Sequence, residues 1–96
     1  MKRNPNIVLR KVSPANFLVD ITKSYNSSEE SLLEIDDMGV AIWNCIEPGM
    51  SRQEIVASFL SLLADEKDEE FVSMVTGDVN EFLDLLVSYH CVLEDS

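Results

Sequence analysis

Residues 32–55 read LLEIDDMGVAIWNCIEPGMSRQEI, and this stretch organises the rest of the chain. Its first four residues, 32–35, are a brief apolar run bounded by polar residues, which predicts a short strand. Asp36 and Asp37 follow directly. Because short acidic side chains accept hydrogen bonds from free backbone N–H groups and suit the positive end of a helix dipole, we expect them to cap a helix over residues 37–45.

A second helix is predicted soon after the first. Pro48 and Gly49 end the first helix. Ser51 and Glu54 have the spacing of a capping box, which predicts the start of a helix over residues 52–64. Each helix has one apolar face that we assign to the core, formed by Ile42, Trp43 and Ile46 in the first and by Ile55, Val56, Phe59, Leu62 and Leu63 in the second.

Strands are predicted on the N-terminal side. Residues 7–12 and 17–21 indicate two strands joined by a turn at residues 13–16, which together predict a hairpin. Residues 22–31 are polar and predict a loop. Residues 32–35 then return as the third strand of a small antiparallel sheet with an open edge.

A third helix is predicted over residues 69–88. Apolar residues recur there at spacings of three and four, as a core face requires. Gly77 lies inside this pattern and leaves open a helix that begins or kinks there, with Thr76 as its cap. Residues 90–93 predict a short final strand. The apolar positions that define the helix are Phe71, Val75, Val79, Phe82 and Leu86.

The composition indicates one globular domain over residues 1–96, since 46% of the residues are hydrophobic. No apolar run approaches the roughly 20 residues that cross a bilayer. The basic N-terminus lacks the apolar segment of a signal peptide, so the expected location is the cytoplasm. Cys45 and Cys91 lie far apart without metal-ligand spacing, and we expect two buried free thiols.

The net charge of −11 is unevenly distributed, because residues 1–28 carry +4 and residues 29–96 carry −15. A chain this acidic repels nucleic-acid phosphate. The third helix is predicted to carry only acidic charges, whereas a helix that reads DNA needs basic ones. We therefore expect no nucleic-acid partner. The acidic residues of this helix are Glu69, Glu70, Asp78, Glu81 and Asp84.

Catalytic chemistry is not predicted. His90 is the single histidine, and the sequence predicts no Ser-His-Asp or Cys-His arrangement around it. The acidic run at residues 65–70 lacks the alternating oxygen ligands and central Gly of a calcium loop. The three glycines are isolated and form no phosphate loop. We expect neither an enzyme nor a cofactor or metal site.

The third helix has more apolar surface than one core stripe needs. Met74 and Leu85, with Asp78 between them, widen its apolar face to one side. Such a face beside an open strand edge makes a groove, although the same residues could simply complete the core. An unpaired strand edge accepts an extended peptide through main-chain hydrogen bonds, and a neighbouring helix face holds its alternate side chains. These residues favour peptide binding.

Three motifs in this order resemble the PqqD-like family of RiPP recognition elements. Proteins of that family bind the leader peptides of ribosomally synthesised, post-translationally modified peptides. The resemblance covers about residues 6–94. Its motifs are LEIDDMGVAIWNCI at residues 33–46, GMSRQEIVASFL at residues 49–60 and GDVNEFLDLLVSYHCVL at residues 77–93.

The resemblance implies an α+β winged helix-turn-helix, with a three-stranded N-terminal sheet followed by three helices. It also implies a function, in which a leader peptide adds as a strand to the third strand and packs against the third helix. The acidic residues nearby would favour leaders that contain Lys or Arg. The implied site residues are Leu32, Leu33, Glu34 and Ile35 on the strand, and Phe71, Met74, Val75, Asp78 and Phe82 on the helix.

Proteins of this family are not enzymes. They present the precursor to a modifying enzyme, often a radical SAM protein, or to a leader peptidase in lasso-peptide systems. An adaptor that binds another protein, rather than a leader peptide, is an alternative for the same winged-helix domain.

Three features depart from the family pattern. The family usually places Gly at the end of the third helix, where this chain has His90, and a non-Gly residue is disfavoured in the left-handed conformation that ends many helices. Asp36 and Asp37 replace a common Asn-Glu pair but keep its capping chemistry. The loop at residues 22–31 is longer and more polar than the family pattern.

Overall fold

The computed structural model describes residues 1–22, 32–63 and 68–94, and these form an α+β winged helix-turn-helix. Residues 23–31 of the predicted loop at 22–31, and residues 65–67 of the acidic run at 65–70, lie outside the described residues. In chain order the elements are β1 (Lys2–Arg3), β2 (Ile7–Val12), β3 (Ala15–Asp20), β4 (Leu32–Ile35), α1 (Asp37–Cys45), α2 (Arg52–Ser61), α3 (Glu69–Ser88) and β5 (Val92–Leu93).

The predicted three-stranded antiparallel sheet is confirmed, with β3 between β2 and β4. The predicted four-residue turn between β2 and β3 is wrong, because Ala15 and Asn16 already pair with Val12 and Lys11. Only two residues therefore connect the strands. The row formed by Leu9, Leu18 and Leu33 faces the helices and packs into the core.

The predicted limits of α1 are confirmed, and Asp36 is its cap, with Oδ1 accepting a 2.8 Å hydrogen bond from the Gly39 amide. In α2 the predicted capping box between Ser51 and Glu54 is also confirmed. The helix ends at Ser61 rather than at residue 64, because the Leu62 amide turns back to the Phe59 carbonyl three residues earlier.

The third helix is continuous over the predicted range of 20 residues. It begins at Glu69, where Asp68 Oδ1 accepts a 2.7 Å hydrogen bond from the Phe71 amide. The alternative start at Gly77, with Thr76 as cap, is wrong. Gly77 is exposed, and a Cβ atom added to it would have no neighbouring atom within 4 Å, so nothing in the packing requires glycine there.

His90 ends α3 in the left-handed conformation, with φ of 61°. Its amide donates to the Val87 carbonyl at 3.0 Å, and the Cys91 amide donates to the Leu86 carbonyl at 2.8 Å. These two bonds form a Schellman motif, which usually has glycine at the left-handed position. The helix end of the family pattern is therefore present although glycine is not.

The reversal at His90 directs the chain into β5, which pairs with β1. The sequence predicted the final strand near this position but not β1.

Arg52 also ties the C-terminal end to the helices, since its guanidinium contacts Asp84 Oδ1 at 2.7 Å and Glu94 Oε1 at 3.0 Å. Burial acts to lower the pKa of Arg52, but these two carboxylates outweigh it and raise the pKa.

The core lies between the sheet and the three helices. Trp43 is buried, as predicted, with the Arg3 guanidinium 5.7 Å from its ring centroid. Cys45 and Cys91 are buried free thiols, also as predicted. No helix in the described ranges is long and apolar enough to cross a bilayer. The most deeply buried side chains are Leu18, Ile42, Ile46, Ile55, Leu83, Leu86, Val79 and Val92.

Candidate functional site

The outer edge of β4 is open in the described part of the chain. β3 pairs with one side of β4, from Asn16–Ile35 to Val19–Leu32, and no described strand pairs with the other side. Such an edge presents main-chain N–H and C=O groups that can pair with a further strand. The edge therefore provides hydrogen-bonding groups for an extended peptide.

Side chains on β4 alternate between the core and the solvent. Leu33 is half-buried against the core, Glu34 is exposed, and Ile35 is only 5% exposed. Because main-chain groups bind an added strand, the buried position of Ile35 is compatible with a role for its backbone.

One face of α3 remains uncovered beside its buried face. Val75, a predicted site residue, is 4% exposed and belongs to the core. By contrast, Met74 is 58% exposed and Leu85 is 40% exposed. The alternative that these two residues complete the core is therefore wrong. Asp78, also exposed, lies between them along the same side of the helix.

An open depression of about 380 Å³ lies on this uncovered face. Asp78, Glu81, Phe82 and Leu85 line it, at helical positions i, i+3, i+4 and i+7. Phe82 is half-buried and packs against the core, so the lining combines apolar groups of Phe82 and Leu85 with two carboxylates. The depression can hold a side chain with an apolar stem and a basic end group.

Phe82 also links α3 to the end of β4. A Cβ atom built on Gly39, in the first turn of α1, would lie 3.0 Å from Phe82 Cζ and 3.1 Å from Ile35 Cβ. Both distances are shorter than ordinary carbon–carbon contacts. Glycine at position 39 therefore allows the strand, α1 and the Phe82 ring to meet.

A partly buried hydrogen bond connects β3 to the start of α1. Asn16, which is opposite Ile35 in the sheet, donates from Nδ2 to Asp37 Oδ1 at 3.3 Å. Asn16 is the single buried polar side chain among the described residues. The second acidic residue of the Asp36–Asp37 pair thus fixes β4 relative to α1, while the first caps the helix.

The predicted site residues do not all occupy equivalent positions. The structure brings Ile35 and Phe82 together through Gly39. Phe71 is half-buried on the same helix, and Met74 and Asp78 are exposed on the uncovered face, whereas Val75 is in the core.

The implied site residues omitted three positions near this surface: Gly39, Glu81 and Leu85. Spacing had already placed Leu85 on the widened apolar face of the third helix, although it was not among the implied site residues. Glu81 could have been found in the same way, because it lies three residues after Asp78. The role of Gly39 depends on packing between α1 and α3, which local spacing does not reveal.

The electrostatic character of the uncovered α3 face is acidic. Asp84 pairs with Arg52, but Asp78 and Glu81 have no ion pair within the described ranges. These two carboxylates therefore keep their charge available at the depression. Opposite charges on a bound molecule would both steer it towards this face and stabilise it there.

The fold and the candidate site define a winged helix-turn-helix domain with an open strand edge and a partly uncovered third helix, which approach each other at Ile35 and Phe82. Among solved structures, the chain is similar to TbiB1 in complex with the TbiA(beta) leader peptide. The TM-score is 0.66, with 19% sequence identity over 100% of this chain and 99% of that one. At this identity the similarity establishes the fold alone. No protein-family profile and no curated protein matches the sequence.

Proposed function

We propose that this protein binds the leader segment of a ribosomally synthesised precursor peptide. The observations that carry the proposal are the open edge of β4 and the approach of Ile35 and Phe82 to Gly39, which brings the end of β4 close to α3. Further support comes from the similarity in fold to TbiB1, which was solved with a leader peptide bound. The PqqD-like resemblance of the sequence indicates the same function.

The leader adds to β4 as an extended strand. Main-chain hydrogen bonds supply affinity, and alternate leader side chains pack on α3. From Met74 to Leu85 the helix rises about 16 Å at 1.5 Å per residue. A strand of about five residues spans the same distance at 3.3 Å per residue. A short leader segment is thus long enough to contact the whole uncovered face.

The acidic lining favours a leader that contains Lys or Arg. Asp78 and Glu81 line the depression together with Phe82 and Leu85, so it offers carboxylates beside apolar groups. A Lys or Arg side chain can place its methylene stem on the apolar groups and its charge beside the carboxylates. Acidic leaders would meet repulsion at the same place.

The protein presents the bound precursor to a separate modifying enzyme, such as a radical SAM protein, or to a leader peptidase. In this proposal it is not itself an enzyme. Its contribution is to hold the leader, which raises the local concentration of the attached precursor near the partner enzyme. The open β4 edge and α3 bind the leader and leave the remainder of the precursor accessible.

Calorimetric titration with the short precursor encoded beside the gene tests the proposal. We expect saturable one-to-one binding with a Kd well below about 1 mM, which corresponds to roughly −4 kcal/mol. Leu33→Pro and Glu34→Pro provide a matched pair, because neighbouring strand residues direct their N–H groups to opposite sides. The proline that replaces the outward N–H should weaken binding in a variant that circular dichroism shows to be folded.

The leader itself supplies a control for effects of proline on folding. N-methylation at one leader residue removes one main-chain donor without changing the protein. We expect methylation at alternate residues to abolish binding and methylation at the intervening residues to be tolerated. Absence of saturable binding, or equal tolerance at all positions, would contradict strand addition.

A further inference from the structure

The face of the sheet opposite the helices is apolar but does not belong to the core. Side chains alternate across a sheet, and the row of Leu9, Leu18 and Leu33 packs towards the helices. The adjacent rows therefore point away from them. These outer rows contain Val8 and Val19 in one, and Arg10, Phe17 and Glu34 in the next.

This outer face has the character of a contact surface. Val8, Phe17 and Val19 are half-buried, and Val12 at the end of β2 is exposed. An antiparallel sheet with one solvated face usually shows polar side chains on that face. Here the centre of the face is an aromatic ring with valines beside it.

Charge is arranged symmetrically about that ring. Arg10 on β2, Phe17 on β3 and Glu34 on β4 are consecutive partners in the sheet register. Neighbouring strands are about 4.8 Å apart, which places a positive and a negative residue about 5 Å to either side of Phe17. Arg10 and Glu34 have no ion pair within the described ranges.

We propose that the outer face binds a second copy of this chain in a two-fold dimer. An axis that runs along β3, above Phe17, exchanges the positions of β2 and β4. Arg10 of each copy then lies opposite Glu34 of the other, and the two Phe17 rings meet at the axis. This self-complementarity is what an interface between identical copies requires.

The spacing of packed sheets suits this arrangement. Two sheets pack face to face about 10 Å apart, with mean strand directions within about 30° of each other. Arginine and glutamate are long enough for their end groups to meet across that gap. The aromatic and valine side chains fill the space between the two charged pairs.

The size of the face limits the expected affinity. Two strands of six residues and one of four cover less than about 14 by 20 Å, or below roughly 300 Å² for each copy. A standard stable interface buries about 800 Å² for each partner. The dimer is therefore weak and reversible, and it forms only at high protein concentration. It does not depend on leader binding, which uses the β4 edge and α3 rather than the outer face.

Sedimentation equilibrium of the full chain in about 150 mM salt, a concentration that screens long-range repulsion between acidic molecules, tests the dimer. Between about 10 µM and 1 mM protein, the wild type should shift from monomer to dimer. Arg10→Glu and Glu34→Arg should each weaken association at least tenfold. The double variant R10E/E34R should restore association to within about threefold of the wild type, because the pair is rebuilt in reverse.

Two variants control for the change in net charge. Lys11→Glu alters the charge as much as Arg10→Glu does, but residue 11 lies on the other face of β2. Glu47→Arg is the corresponding control for Glu34→Arg at an exposed position outside the sheet. Both controls should associate like the wild type. A wild type that stays monomeric at 1 mM, or a double variant that stays as weak as the single ones, would overturn the proposal.

Discussion

Phe82 and Gly39 are packed so closely that a Cβ atom at position 39 would lie 3.0 Å from Phe82 Cζ. The same atom would lie 3.1 Å from Ile35 Cβ, which is held by the sheet. Position 39 therefore couples Phe82, which lines the α3 depression, to the end of β4. A change there should alter both stability and peptide binding.

Gly39→Ala tests this coupling. Alanine improves helix propensity by about 1 kcal/mol, but overpacking in a rigid environment destabilises by about 1–3 kcal/mol. Because Ile35 Cβ cannot move without the strand, we expect a net loss of about 1 kcal/mol in urea unfolding. Displacement of Phe82 should also weaken leader binding. Gly77→Ala is the matched control, since position 77 has open space and should gain stability. Equal gains in both variants would contradict the packing argument.

Leu85→Gln tests the uncovered face of α3. The substitution keeps the size and charge of the residue but removes apolar area that a leader side chain would cover. We expect leader affinity to fall at least tenfold, by calorimetry, with little change in stability because Leu85 is 40% exposed.

Leu62→Gln is the control for this prediction. Leu62 is 64% exposed, at the end of α2 and away from the depression. The same chemical change there should leave leader affinity unchanged. A similar loss of affinity in both variants would indicate a general effect of the substitution rather than contact with the α3 face.

His90→Gly should stabilise the protein. A residue with a Cβ is less stable in the left-handed conformation than glycine by about 1–2 kcal/mol. Part of the gain from glycine is offset because its unfolded state is more flexible. With φ of 61° at His90, we expect a net gain of about 0.5–1 kcal/mol in urea unfolding. Tyr89→Gly, where φ is −94°, offers no such relief and should destabilise. Loss of stability in H90G would show that the imidazole has a role that the backbone does not explain.

Cys91 should make stability decline at high pH. Burial, with a smaller contribution from the charge of Asp20, raises the pKa of the Cys91 thiol from 9.0 to about 11. The folded state thus disfavours the thiolate. The stability that the neutral Cys91 thiol contributes is therefore fully present below pH 9 and is lost as the pH rises from 9 to about 11.

Unfolding of the wild type and Cys91→Val across this pH range isolates the effect, because other titrating groups are common to both proteins. The wild type should lose more stability than the variant, by on the order of 1 kcal/mol. Parallel loss in the two proteins would mean that the thiol does not ionise differently on unfolding.

Local signals predicted much of the fold. The limits of α1 could be predicted because Asp36 caps its start and Pro48 and Gly49 follow its end. The range of α3 followed from its apolar spacing. By contrast, β1 has only two exposed residues, and its partner β5 lies at the opposite end of the chain. No periodic pattern can reveal such a strand.

In the candidate site, too, local patterns predicted some features, whereas others depend on tertiary packing. An apolar surface wider than one core stripe correctly indicated that part of α3 stays uncovered. Val75 and Met74 are adjacent apolar residues about 100° apart around the helix, and only the packing of the helix decides which one is buried. The close approach of Phe82 to Gly39 depends on residues more than forty positions apart in the sequence, so spacing could not predict it.

Amide hydrogen exchange at β4 tests leader recognition by strand addition most directly. Within Leu32–Ile35, alternate amides point away from β3 and have no strand to bond with in the described part of the chain. On saturation with the leader peptide, we predict that exchange of these alternate amides slows at least tenfold, while the amides already paired with β3 change less. Saturable binding without added protection at β4 would contradict the account.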